Sequence, residues 1–223
     1  MPMKKNFINI VVCSILLWFT INEFGYLFLS ISSFIMLSYY LSDLFLKITD
    51  KKQDKKRELS KNFQFIFFIG LIPSLFVLRY FENTIGGYNL FWKLTFFSLV
   101  FTVLTAVILN RYFNFSWESK FGNLLSICIC YFLLIPSVGI FMNTQSFEEG
   151  ERKEETIINY KKINKKTRGG DSYELFIKTQ HDSNERLDVE KELYEAIKED
   201  NHIVLTLRKG ILGYDYVAKI EAE

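Results

Sequence analysis

The residues in this chain best placed for chemistry are Asp43 and Lys47, four apart near the end of a long apolar run. On a helix that spacing brings a carboxylate and an ammonium onto one face, where they can pair. An ionisable residue in membrane-like surroundings is a functional candidate by default, for proton or ion handling. This pair lies close enough to the end of its run to snorkel to an interface, so a structural ion pair is the expectation. Pro73 and Pro136 are the second candidates, each deep in an apolar segment with Gly70 or Gly139 three residues away. Proline removes a backbone hydrogen bond and frees the carbonyl four residues earlier, so both are candidate helix kinks. Broken helices line the substrate sites of many carriers, although membrane helices also tolerate proline for packing. No charge lies near the middle of any apolar segment, which argues against an ion or proton path.

Other reactive side chains are scarce. Cys128 and Cys130 are two apart, about 200° around a helix, and cannot readily clasp one metal ion. His181 and His202 are the only histidines, and Asp182 beside His181 reads as turn chemistry. The chain has no Ser-x-x-Lys, nucleophile elbow, H-E-x-x-H or phosphate-binding glycine loop. No catalytic residue, metal ligand or cofactor site is expected, and the chain is not expected to be an enzyme.

The elements that must position these residues follow from a division near residue 143. Of 223 residues, 49% are hydrophobic and 23% charged, an average that hides two unlike parts. Residues 1–142 hold 13 Lys/Arg, 7 Asp/Glu and 21 of the 23 Phe, whereas residues 143–223 hold 14 Lys/Arg and 18 Asp/Glu. The charges of +6 and −4 sum to the net +2. A basic, apolar part followed by an acidic, polar one predicts helical membrane segments (1–143), a charged linker (144–155) and a small mostly-β domain (156–223). All three cysteines lie in apolar runs, so no disulfide framework is implied.

A hydrocarbon core of about 30 Å needs about 20 apolar residues as a helix. Segments 63–81, 90–110 and 123–143 meet that length. The run from Phe7 to Ile48 is twice as long, and "NEFG" at 22–25 divides it into 7–21 and 26–46, a tight helical hairpin. About five spanning helices are therefore expected. A cleaved signal peptide is the rival for residues 1–21, but no convincing small-x-small site precedes Gly25.

The stretch "DKKQDKKRELSKN" carries Lys51, Lys52, Lys55, Lys56, Arg57 and Lys61 between two apolar runs. Short Lys/Arg-rich loops stay cytoplasmic. The loop "ENTIGGYN" (82–89) has no Lys/Arg, with Arg79 and Lys93 at its borders. The aromatic connector 111–121 carries Arg111 and Lys120. The pattern predicts a cytoplasmic amino terminus and basic loop, with 82–89 and the carboxyl-terminal domain outside. Basic residues next to a membrane also attract anionic lipids of the inner leaflet, about 1 kcal/mol each. Nucleic acid is not expected as a partner, since the run is short, Asp50, Asp54 and Glu58 interrupt it and no binding fold is recognisable.

Beyond Phe147 the hydrophobic period changes. Alternation in "SYELFIKTQ" (Tyr173, Leu175, Ile177) and "HIVLTLRKG" (Ile203, Leu205, Leu207) predicts strands. "TIINYKKIN" (156–164), "ERLDV" and "YDYVAKI" supply three more, and "VEKELYEAIKE" a short amphipathic helix. Five strands and one helix suggest a small β-barrel or curled sheet, near the size where a core is barely sufficient.

The pattern Y-x-x-I (Tyr194, Ile197) then I-x-L-x-L-x-K-G-x-x-G (Ile203, Leu205, Leu207, Lys209, Gly210, Gly213) resembles the small β-domain of uncharacterised bacterial membrane proteins. It covers about 50 residues, and Asp200-Asn201 stands where that pattern often has Gly-Asp. The resemblance implies a fold and no activity. The weight of Phe, Ile, Lys and Asn is that of an AT-rich bacterial genome, so the expected location is the bacterial inner membrane. The expected role is a non-enzymatic subunit of a membrane complex that binds other membrane proteins. The alternative is a small carrier or channel-like protein built around Pro73 and Pro136.

Overall fold

A computed structural model describes residues 3–21, 24–49, 57–115, 120–145, 150–165, 171–178, 184–199 and 201–222. Glu23 of the NEFG stretch and the candidate residues Lys51, Lys52, Lys55, Lys56, His181 and Asp182 lie outside them, as do the side chains of Arg57, Lys61 and Arg79. Helices α1 (Met3–Thr20) and α2 (Leu27–Thr49) come first, with a 3-10 turn at Phe24–Tyr26 between them. A two-residue strand β1 (Arg57–Glu58) and a 3-10 segment (Lys61–Ile66) lead to α3 (Phe67–Glu82) and α4 (Gly87–Tyr112). Strand β2 (Phe113–Asn114) precedes α5 (Lys120–Gln145). The remaining elements are β3 (Arg152–Asn164), β4 (Ser172–Lys178), β5 (Asn184–Val189), α6 (Lys191–Ala196), β6 (His202–Lys209) and β7 (Asp215–Ala222).

Four helices, α1, α2, α4 and α5, are long and apolar enough to cross a membrane. The expected fifth, over 63–81, is divided instead. Its first turns are 3-10, started by Ser60, whose side chain accepts from the Asn62 amide. The α-helical remainder has 16 residues, about 24 Å at about 1.5 Å each.

The chain divides into two compact units, Met1–Ser74 with Leu94–Pro136, and Leu75–Lys93 with Ser137–Glu223. This boundary differs from the compositional one near 143, because the second unit includes residues from α3, α4 and α5.

In the first unit α1 packs along α2. The interior mixes polar side chains with apolar ones such as Phe34, Leu124 and Ile127, and many large apolar side chains face outward. Ser30, Ser33, Ser38 and Ser42 of α2 are buried, as are Ser98 and Thr102 of α4. Trp18 is 78% exposed and Phe28 84%. Buried hydroxyls turn back onto their own helix, Ser38 Oγ donating to Phe34 O (3.0 Å), Ser42 to Ser38 O (2.8 Å) and Thr102 to Ser98 O (2.8 Å). Small side chains let helices approach closely, which is how helices associate in lipid. Gly70 shows the closest case, since a Cβ there would overlap the backbone carbonyl of Cys130 in α5. Phe34 of α2 meets Phe96 of α4 and Phe132 of α5, each at 5.8 Å between centroids. Thr105 and Tyr131 share a 2.8 Å hydrogen bond between α4 and α5.

The second unit holds a five-stranded antiparallel sheet in the order β5-β4-β3-β6-β7. All five expected strands form, and β3 begins four residues before the expected start at 156, using residues assigned to the linker. The core gathers the alternating residues Leu175, Ile177, Ile203, Leu205 and Leu207 with Ile158, Leu187 and Ile197. The sheet is open and curled, not a barrel: β5 and β7 stand at opposite edges and are unpaired with each other. The outer edge of β7 is taken by the α3–α4 loop. Ile85 N donates to Asp215 O (2.9 Å), Val217 N donates to Asn83 O (2.8 Å), and Thr84 bridges Tyr216. Ile85 also packs on the sheet core, supplementing its area.

Candidate functional site

In the first unit the Asp43 side chain sits where α1, α2 and α5 meet, 7% exposed. Lys47 Nζ, one turn further along α2, lies 2.6 Å from its Oδ2. Two further partners come from other helices. Asn6 Nδ2 of α1 donates to Oδ2 at 2.6 Å, and Lys120 Nζ at the start of α5 lies 2.5 Å from Oδ1. Asn6 is fully buried, while the lysine side chains keep 20% and 22% exposure. Burying a carboxylate without partners would force it to neutralise; three donors, two of them cationic, remove that need.

One carboxylate and two ammoniums leave a formal charge of +1. The set can clamp three helices, and it contains no histidine, cysteine or hydroxyl. No metal-binding group of His, Cys, Asp and Glu occurs among the described residues. Lys120 and Asn6 are the residues that spacing could not find, because they come from distant helices. The signal available was their rarity: Asn6, Asn123 and Asn143 are the buried asparagines of otherwise apolar helices.

Other sequence candidates fall elsewhere. Pro73 and Pro136 lie inside α3 and α5, and both helices continue through them. Cys128 and Cys130 are buried free thiols. The backbone of Arg57 pairs with Phe113, and that of Glu58 with Asn114, joining the end of the basic loop to the 111–121 connector. His202 is exposed at the start of β6.

A second constellation lies in the second unit, where helix ends meet the sheet. Asn143, fully buried in the last turn of α5, accepts from Leu212 N (3.0 Å) and donates to Tyr214 O (3.1 Å). Its carbonyl and amide leave no room for a side chain at position 210, which Gly210 fits. Arg186 of β5 reaches Glu82 at the end of α3 (2.7 Å) and the buried Glu174 of β4 (3.3 Å). Lys93 of α4 stands 5.2 Å over the Tyr214 ring, a cation–π contact. The arrangement mounts the sheet on three helix ends at several separate points.

Compared with family models, with curated proteins and with solved structures, the chain matches none.

Proposed function

We propose that this protein is a non-catalytic, membrane-integral subunit of a larger bacterial inner-membrane assembly. Its helices pack on partner helices, and its sheet is a docking platform on the outer side. The observation that carries this reading is the mount. Asn83 and Ile85 hydrogen-bond the sheet edge, Asn143 holds the β6–β7 turn, and Glu82 pairs with Arg186. A domain that only needed tethering would require one linker. A domain that must present a surface at a fixed angle to helices gains from several anchor points.

Membrane location is supported by the apolar exterior of the first unit, where Trp18, Phe19, Phe28 and Phe97 are exposed while serine and threonine hydroxyls are buried, an exposed apolar surface that a soluble bundle would cover. Orientation is supported by two ties. The end of the basic loop pairs with the 113–114 backbone, so both connectors belong on one side, cytoplasmic by their Lys/Arg content. The 83–85 loop pairs with β7, so it shares a side with the carboxyl-terminal sheet, the outer one. Anionic inner-leaflet lipids are proposed partners of the basic loop from Lys51 to Lys61.

The test is purification at native expression through an amino-terminal tag in mild detergent. Larger membrane proteins at fixed stoichiometry are expected. A monodisperse monomer or homo-oligomer would overturn the reading.

A further inference from the structure

We infer that the β6–β7 turn is a lipid contact, with Ile211 and Leu212 dipping into the outer interface of the bilayer. The inference rests on the membrane reading above and concerns the side opposite the basic loop. Ile211 and Leu212 form the tip of the turn and are 45% and 40% exposed. Two adjacent exposed aliphatic side chains on a tight turn are unusual for a tip facing water, where polar residues dominate.

Depth follows from Asn143. Helix α5 has 26 residues, about 39 Å at about 1.5 Å each, against a hydrocarbon core of about 30 Å. Upright and centred, it extends about 4 to 5 Å beyond each face of that core. Asn143 lies two residues before the end at Gln145, about 3 Å along the axis, so its amide sits close to the hydrocarbon edge. Because Asn143 Oδ1 binds the Leu212 amide directly, the tip is held at that level. The neighbouring α5 residues Phe141 and Met142 are 47% and 48% exposed, so the apolar surface of the helix continues into the tip.

Three of the four amides of the turn 210–213 are paired, which lowers the cost of a low-dielectric setting, where an unpaired backbone group is expensive. Gly210 N donates to Tyr214 O (3.0 Å), Gly213 N to Gly210 O (2.8 Å), and Leu212 N to Asn143. Gly213 takes φ +78°, the left-handed conformation that closes the turn. Tyr214, beneath the Lys93 ammonium, is the amphipathic residue type found at headgroup level.

The test uses the full chain with Cys13, Cys128 and Cys130 replaced by alanine. It is reconstituted in phosphatidylethanolamine–phosphatidylglycerol vesicles containing a nitroxide lipid quencher. Single cysteines at Leu212, Phe97 and Lys191 are labelled with an environment-sensitive fluorophore. Phe97 is an exposed residue of α4 and reports the membrane reading itself; Lys191, exposed on α6, is the water control. Emission at Leu212 is expected to shift to the blue and to be quenched several-fold more than at Lys191, most strongly by a shallow nitroxide. If Leu212 matches Lys191 while Phe97 is quenched, the lipid contact is wrong and the membrane reading stands. If Phe97 is not quenched, both fall. Ile211→Cys repeats the measurement should Leu212→Cys fail to fold.

Discussion

Lys120 opens α5 with its ammonium 2.5 Å from Asp43 Oδ1, opposite Lys47, whose ammonium meets Oδ2 at 2.6 Å. The carboxylate is thus the only negative charge between two positive ones. Removing one partner of a buried pair costs about 3 to 5 kcal/mol, and the partial exposure of the lysines places this site at the low end. Asp43→Leu is expected to destabilise by about 3 kcal/mol, because two ammoniums then face each other. Lys47→Met should lose only about 1 kcal/mol, since Lys120 and Asn6 still satisfy the carboxylate. Thermal unfolding in detergent ranks the two, and equal losses would refute the three-donor account.

Gly70 and Gly25 make a matched pair for close helix approach. A Cβ at Gly70 would overlap the Cys130 carbonyl, whereas nothing lies within 4 Å of one at Gly25. Gly70→Ala should destabilise by about 1 to 3 kcal/mol, the usual range for overpacking. Gly25→Ala should stay within about 0.5 kcal/mol. Both are read from detergent unfolding midpoints, and the contrast between them is the informative quantity.

The strands were legible where one face is buried. Alternation at Tyr173, Leu175 and Ile177, and at Ile203, Leu205 and Leu207, reports the packing that later forms around them. The early start of β3 was hidden because Arg152–Glu155 are all charged. Its pairing with β6 is specified by backbone, to which hydropathy is blind. The same blindness hid the role of "ENTIGGYN", whose Asn83 and Ile85 contribute main-chain bonds. At the ion pair, Lys47 was legible from helical spacing, but Lys120 depends on which helices become neighbours.

Asn143→Ala should leave the sheet folded while loosening its turn. The Leu212 amide and the Tyr214 carbonyl each lose a partner, and an unsatisfied buried group costs about 1 to 3 kcal/mol. Hydrogen exchange at the Leu212 amide should accelerate, with little change in β4. Unchanged protection at Leu212 would mean that Asn143 does not hold the tip.

Arg186 serves two carboxylates of different exposure, Glu174 at 7% and Glu82 at 37%. Glu82→Gln is expected to cost under about 1 kcal/mol, as exposed pairs do. Arg186→Met should cost about 2 kcal/mol, because among the described residues Glu174 then keeps Asn164 alone, at 2.7 Å. Chemical denaturation of the two variants and their double mutant gives the coupling directly.

Glu221 on β7 accepts from Lys219 and Lys153, which hold its carboxyl below the usual glutamate range. A lowered folded-state value means that the interaction stabilises above the ordinary titration range, near pH about 4.3. It is lost as pH falls through the lower folded value. NMR titration should place the Glu221 midpoint below that of a free glutamate. Combined Lys153→Gln and Lys219→Gln should return it to the ordinary range.

The pairing of Ile85 with Asp215 imposes an order on biogenesis. Synthesis runs from the amino terminus, so the 83–85 backbone is made long before β7, and all four long apolar helices precede that strand. Until β7 is available, the loop and the free edge of β6 have no strand to pair with, and such transient edges invite misassembly. A pairing so distant in sequence also forms slowly. Strand β7 can therefore close this edge only after the four long helices have been made. Nascent chains arrested before Asp215 should be cut by protease in the 83–86 loop, and chains released beyond Ala222 should resist.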